Sequence, residues 1–91
     1  MFTRDKFTPL GYEALAPTSA TGLTVPSGAA YALIVAETQH VRYTDDGTTP
    51  TLTVGQLLKT TDPALWYAGD LSALKFFNDT AGGLIKVLYY K

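Results

Sequence analysis

The chain contains no cysteine and only one histidine, one tryptophan and one methionine among its 91 residues. Without thiols, neither a disulfide framework nor a thiolate metal centre can stabilise it. Charge is also scarce: Lys+Arg 7 stand against Asp+Glu 8, for a formal net charge of −1. No basic footprint is present to hold phosphate backbones or anionic lipid, which argues against nucleic-acid or membrane-surface binding as the main role. Long apolar runs are missing too, and nothing reaches the length of a membrane span. Arg4, Asp5 and Lys6 are not followed by an apolar stretch, so Met1 to Leu10 does not read as a secretory signal, and a soluble chain made in the cytosol is expected. No window carries a capped i, i+3, i+4, i+7 apolar stripe. The best helix candidate, Thr53 to Lys59, is short and β-branched at its start.

What is present points to strands. Apolar residues make up 46% of the chain, enough for one small domain with a thin core, and a chain of this size buries roughly 60–65% of its unfolded surface. A core that thin favours help from a partner or from self-association. Threonine is the commonest residue type, and with Val, Ile, Tyr and Phe it biases the chain toward extended structure. Glycines and prolines divide the sequence into strand-sized pieces: Leu10 to Ala16, Gly22 to Val25, Ala30 to Glu37, His40 to Thr44, Leu52 to Lys59, Ala64 to Ala68, Ser72 to Asn78 and Leu84 to Tyr90. Pro26-Ser27-Gly28 and Asp45-Asp46-Gly47 read as tight turns between them, the second of the Asx type. The expected fold is therefore all-β: a small antiparallel sandwich or jelly roll of about eight short strands. Residues 12–91 form this single domain, and residues 1–11, with Phe2 and Phe7 spaced among charges, form an N-terminal arm.

Side chains alternate across a strand, so each charged residue marks the solvent face. Lys86 turns Ile85, Val87 and Tyr89 inward and leaves Leu84, Leu88 and Tyr90 on the outer face. Lys75 places Leu74 and Phe76 inside and Phe77 outside, while Arg42 places Val41 and Tyr43 inside. In Ala64-Leu65-Trp66-Tyr67-Ala68, either Trp66 or the pair Leu65 and Tyr67 must face away from the core. Several large apolar groups on outward faces mark an interface, unless the chain's own loops or its arm cover them. The candidate interface residues are Trp66, Phe77, Leu84, Leu88 and Tyr90, with Phe2 and Phe7 as a docking arm that enters a neighbour's groove. On this reading Phe77→Asp or Tyr90→Asp gives a folded protein of lower oligomeric order.

Little in the sequence suggests chemistry. A single histidine, His40, has no second histidine or cysteine and no suitably spaced carboxylates with which to build a metal site, and reads as a half-exposed strand residue. Asp45-Asp46-Gly47-Thr48 lacks the spaced oxygens and closing glutamate of a calcium loop. Ser19, Ser27 and Ser72 are not in a strand-to-helix elbow. The carboxylate pairs that could be imagined, Asp62 with Asp70 or Asp45 with Asp46, sit in a domain too thin to enclose a pocket. The glycines do not form a phosphate cradle either, because no helix follows them. The chain is expected to be neither an enzyme nor dependent on a cofactor or metal. Trp66, Tyr67, Asp70 and Asn78 could form a sugar-stacking platform, which leaves a glycan-binding module as an alternative.

A likeness also extends over residues 23–91. It is carried by the run Leu23-Thr24-Val25-Pro26-Ser27-Gly28-Ala29, then Ala32-Leu33-Ile34-Val35-Ala36-Glu37, then Val41-Arg42-Tyr43-Thr44-Asp45-Asp46-Gly47-Thr48-Thr49-Pro50-Thr51. Thr53-Val54-Gly55, Tyr67-Ala68-Gly69-Asp70-Leu71-Ser72-Ala73-Leu74-Lys75-Phe76 and the ending Val87-Leu88-Tyr89-Tyr90 continue it. In this order the segments resemble a group of small tailed-bacteriophage proteins found among virion structural genes, although none of them is a catalytic signature. Such proteins are similar to β-sandwich or jelly-roll capsid decoration (cement) proteins, which sit on an assembled shell and hold neighbouring capsid subunits. The resemblance implies a virion component made in the host cytoplasm, with the major capsid protein or another virion protein as partner and a homo-dimer or trimer as the expected state. A place in the tail or at a fibre base is the alternative it leaves open.

Overall fold

The computed structural model describes residues 7–91, and within them the expectation of an all-β fold holds. Eight strands are present: β1 (Pro9–Leu15), β2 (Thr21–Gly22), β3 (Tyr31–Glu37), β4 (Val41–Thr44), β5 (Gln56–Leu58), β6 (Leu65–Tyr67), β7 (Lys75–Asn78) and β8 (Leu84–Tyr90). They form two four-stranded sheets. Sheet A has the order β1-β8-β3-β6, sheet B the order β2-β7-β4-β5, and every neighbouring pair is antiparallel.

That order has a simple origin. The first half of the chain runs antiparallel to the second, β1 beside β8, β2 beside β7, β3 beside β6 and β4 beside β5, so the chain is one long hairpin. Rolling the hairpin brings β8 against β3 and β7 against β4 and closes the two sheets over each other. A hairpin rolled in this way is a jelly roll.

The core lies between the sheets and is built by alternation. Sheet A contributes Ala32, Ile34 and Ala36 from β3 and Ile85, Val87 and Tyr89 from β8. Sheet B contributes Val41, Leu58 and Phe76, and Leu71 and Leu74 enter from the segment before β7. The inward assignments made from Lys86, Lys75 and Arg42 are thus those observed. Each fully buried Ile, Phe or Val removes enough apolar surface to contribute roughly 1.5–3 kcal/mol. At one end of the core Gly83 lies so close to its neighbours that an added Cβ would sit 2.6 Å from Asn78 Oδ1 and 2.9 Å from Val41 Cγ2. No larger residue fits there.

Several boundaries differ from those expected: Leu23 to Val25 are not strand, since β2 is Thr21–Gly22 alone, and three further differences have local reasons. Residues 52–55 are not strand, because Gly55 takes a φ of 120°, which bends the chain before β5. Leu71–Ala73 form a 3₁₀ turn: the Asp70 carboxylate caps it, accepting from Ser72 N at 3.0 Å and Ser72 Oγ at 2.6 Å. The segment expected as an arm joins sheet A from residue 8 onward, where Thr8 and Lys91 exchange backbone hydrogen bonds of 2.9 and 3.0 Å and β1 starts at Pro9. Phe2 lies outside the described residues.

Candidate functional site: the outer face of sheet A

The inward side chains of sheet A are committed to the core, so its outward side chains decide what the sheet can meet. On β3 the charged end residue Glu37 shares its parity with Tyr31, Leu33 and Val35, which all point out. On β8 the outward set is Leu84, Lys86, Leu88 and Tyr90. The either/or at β6 is settled by register: Trp66 pairs with Leu33 and faces outward, while Leu65 and Tyr67 pack on the core.

At one end of this face aromatic rings gather. Tyr31 lies beside Tyr90 in the ladder, and Trp66 stacks on Tyr31 with ring centroids 5.4 Å apart and planes at 10°. Trp66 also lies 5.6 Å from the Tyr90 ring. Phe7 closes the group edge-on, 4.9 Å from Tyr31 and 5.0 Å from Trp66. Such pairs add about 0.5–1.5 kcal/mol each beyond simple burial. The cover is effective enough to leave Tyr90 only 3% exposed although it points away from the core. Tyr90 is therefore a structural residue rather than an open anchor, and Phe7 docks on its own chain rather than in a neighbour's groove.

Beyond the aromatic end the face opens. Register aligns Tyr12, Leu88, Leu33 and Trp66 in a single row across all four strands. Exposure rises along it toward β1, reaching 37% at Leu88 and 60% at Tyr12. Next to this row lies one ion pair, Lys86 Nζ to Glu37 Oε1 at 3.6 Å. A hydrogen bond with Tyr12 raises the Lys86 pKa above its ordinary value, with the Glu37 charge assisting, so Lys86 is a firm cation on this face.

Tyr12 was not among the expected interface residues, nor were Tyr31 and Leu33. Glu37 could have identified the β3 pair by parity. Tyr12 is harder to foresee, because its charged neighbour Glu13 turns inward to accept from the Tyr89 hydroxyl, while a bulge between Pro9 and Gly11 lets Leu10 pack on the core alongside Leu15.

The remaining candidate, Phe77, does not join this group. It points outward from sheet B, opposite Arg42, and lines a shallow cleft of about 250 Å³ with Leu52, Thr18 and Ala81. Around it the face of sheet B is held by polar contacts. Arg42 Nε reaches Asp79 Oδ1 at 3.1 Å, and Arg42 Nη1 donates to Gly55 O at 3.2 Å. A second depression of about 270 Å³ lies over Tyr43–Asp46 and Val54–Gln56. There Asp46 forms the expected Asx turn, accepting from Thr48 N at 3.0 Å, a bond that lowers its pKa.

The residues weighed for other chemistry are dispersed. His40 Nδ1 accepts from Thr60 N at 3.1 Å and so is tied to a loop backbone. The sugar platform does not assemble: Trp66 is stacked among aromatics on sheet A, Tyr67 faces the core, Asp70 caps a turn and Asn78 is buried in sheet B. Among the described residues no three His, Cys, Asp or Glu side chains are grouped to hold a metal ion. What the fold and these surfaces define is a jelly-roll sandwich with an apolar row on the outer face of sheet A and, on sheet B, a polar span beside exposed Leu52 and Val54. Comparison with protein-family models, with curated proteins and with solved structures returned no match.

Proposed function

We propose that this chain is a non-enzymatic structural protein of a tailed-phage virion that self-associates and binds the assembled capsid, stabilising it as a decoration protein. The observation that carries the association is the open apolar row on sheet A, where large side chains stand exposed beside an ion pair instead of behind a polar surface. The virion context rests on the resemblance of residues 23–91 to small phage structural proteins. A rolled double sheet suits such a role, since the same architecture recurs in viral capsid domains.

The mechanism needs no chemistry. A protein that binds only the assembled form of a shell shifts the assembly equilibrium toward it by mass action. Many copies on one lattice add weak contacts into a strong total. The partner on the lattice is the major capsid protein or another virion protein.

The test is quantitative mass spectrometry of purified phage particles carrying this chain, read as its copy number relative to the major capsid protein. A ratio near one, or a simple fraction of it, supports decoration. A few to a few dozen copies assign the chain to the tail or a fibre base instead, and absence from the particle overturns the virion reading.

A further inference from the structure

We infer that His40 is a pH-sensitive latch: as a neutral imidazole it holds the 59–62 turn against the β3–β4 connection, and on taking up a proton it releases that turn while both sheets stay intact. The inference goes beyond the association on sheet A and does not depend on it.

The first support is where His40 sits. The chain passes between the two sheets at residues 38–40 (β3 to β4), 59–64 (β5 to β6) and 79–83 (β7 to β8). His40 joins all three. It belongs to the first, its Nδ1 accepts from Thr60 N at 3.1 Å in the second, and its carbonyl accepts from Asp79 N at 3.2 Å in the third. Among the described residues the other hydrogen bonds of the 59–62 turn are internal, Lys59 N donating to Asp62 Oδ2 at 2.9 Å and Asp62 N to Lys59 O at 3.1 Å. The imidazole is therefore what ties this turn to its neighbour.

The second support is which ring nitrogen is used. An Nδ1 that accepts an N–H is unprotonated, so the neutral ring carries its proton on Nε2. The next proton goes to Nδ1 and turns the acceptor into a donor facing the Thr60 N–H. The bond and the imidazolium exclude each other, so closing the turn and protonating the ring oppose one another, and acid favours the open turn. The charged groups on the surrounding elements are already engaged: Asp62 by the Lys59 N–H, Asp79 by Arg42 at 3.1 Å and Glu37 by Lys86 at 3.6 Å. Among the described residues none of these carboxylates pairs with the ring, so no ion pair is in place to offset the lost bond.

The third support is strain. Thr38 has a φ of 73°, in the left-handed region that a β-branched side chain disfavours, within a three-residue turn closed by Gln39 N donating to Glu37 O at 2.8 Å. Such a backbone persists only where surrounding contacts hold it. The two bonds accepted by His40 anchor the residues that follow Thr38, so losing one removes part of what keeps this junction closed.

The experiment follows the backbone amides of the full chain by NMR between pH 8 and pH 5, the range in which histidine ordinarily titrates, with the His40 ring nitrogens read alongside. At the upper end the ring is expected in the Nε2–H form with the Thr60 N–H protected. As the ring takes up its proton, protection of Thr60, corrected for the intrinsic pH dependence of exchange, should fall about fivefold or more. The Asp79 N–H, bonded to the carbonyl of the same residue, should not respond, and the Ile85 and Val87 amides of the core should stay protected. His40→Asn, whose amide oxygen takes the place of Nδ1, should keep Thr60 protected throughout, and His40→Ala should leave it unprotected throughout.

A ring found in the Nδ1–H form at the upper end, a Thr60 amide indifferent to the ring's titration, or the same pH response in His40→Asn overturns the inference. Loss of protection at Thr60, Asp79, Ile85 and Val87 together overturns it as well, since that is unfolding of the domain and not release of one turn. The unsubstituted chain and His40→Asn decide the question even where His40→Ala does not fold.

Discussion

The outer faces of the two sheets solve the same problem in different ways. Both strands at the centre of sheet A, β3 and β8, carry large apolar groups outward, and the chain covers part of them by folding Phe7 over Tyr31 and Trp66. On sheet B a single arginine spans the face, joining β4 to Asp79 and to the carbonyl of Gly55. One face is finished in part by ring packing; the other is crossed by polar contacts, with Leu52 and Val54 still 59% and 40% exposed beside them. An unfinished apolar surface in a domain of this size is where a partner has the most to contribute.

The contrast is broken most sharply by placing the same charge on each face. Tyr90→Asp buries a carboxylate beneath the aromatic cap, and should destabilise the fold by about 3 kcal/mol. Phe77→Asp, on a half-exposed position of sheet B, should cost about 1 kcal/mol or less. Urea melts of the two variants measure the difference directly. The earlier expectation that Tyr90→Asp leaves a folded protein of lower order is thereby revised, since Tyr90 is part of what holds sheet A together.

Removing the cap alone should have a smaller effect. Phe7→Ala deletes two edge-on ring contacts and is expected to lower stability by about 1–3 kcal/mol, with a rise in the solvent exposure of Trp66 seen as a red shift of its fluorescence. On sheet B, Arg42→Ala breaks a partly buried ion pair and a hydrogen bond to Gly55 O, for about 1 kcal/mol. That loss should shrink in high salt, whereas the Phe7 loss should not.

The smallest effect is in alkali. Burial pushes the Tyr89 phenol well above its ordinary 10.0, and its hydrogen bond to Glu13 Oε1 at 2.6 Å acts in the same direction. A group whose folded pKa is raised stabilises the fold fully below the unfolded value, and the contribution is lost as pH climbs past it. Stability should therefore decline above about pH 10, and Tyr89→Phe should flatten that decline in thermal melts.

Much of this architecture was legible from local pattern. Lys86 alone oriented all of β8, because one charge fixes the parity of a regular strand. Parity, however, says which side a residue faces and not which sheet it belongs to. Phe77 and Leu88 both read as outward, yet rolling the hairpin sends β7 and β8 to different sheets and puts the two residues on opposite surfaces. The same limit hid the aromatic cluster. Tyr31, Trp66, Tyr90 and Phe7 come from four distant parts of the chain and meet only through the pairing of β3 with both β6 and β8. Tyr12 escaped notice because its neighbour Glu13, a charge that parity would place outward, turns to the inner side, where it accepts from the Tyr89 hydroxyl.

The central claim is that association belongs to sheet A and not to sheet B. It is tested most directly by sedimentation velocity on Leu88→Asp and Phe77→Asp side by side, with thermal melts to confirm that both are folded. The account predicts that Leu88→Asp shows a lower oligomeric order than the unsubstituted chain at every concentration while Phe77→Asp associates as the unsubstituted chain does. Loss of association in Phe77→Asp with Leu88→Asp unaffected would contradict it.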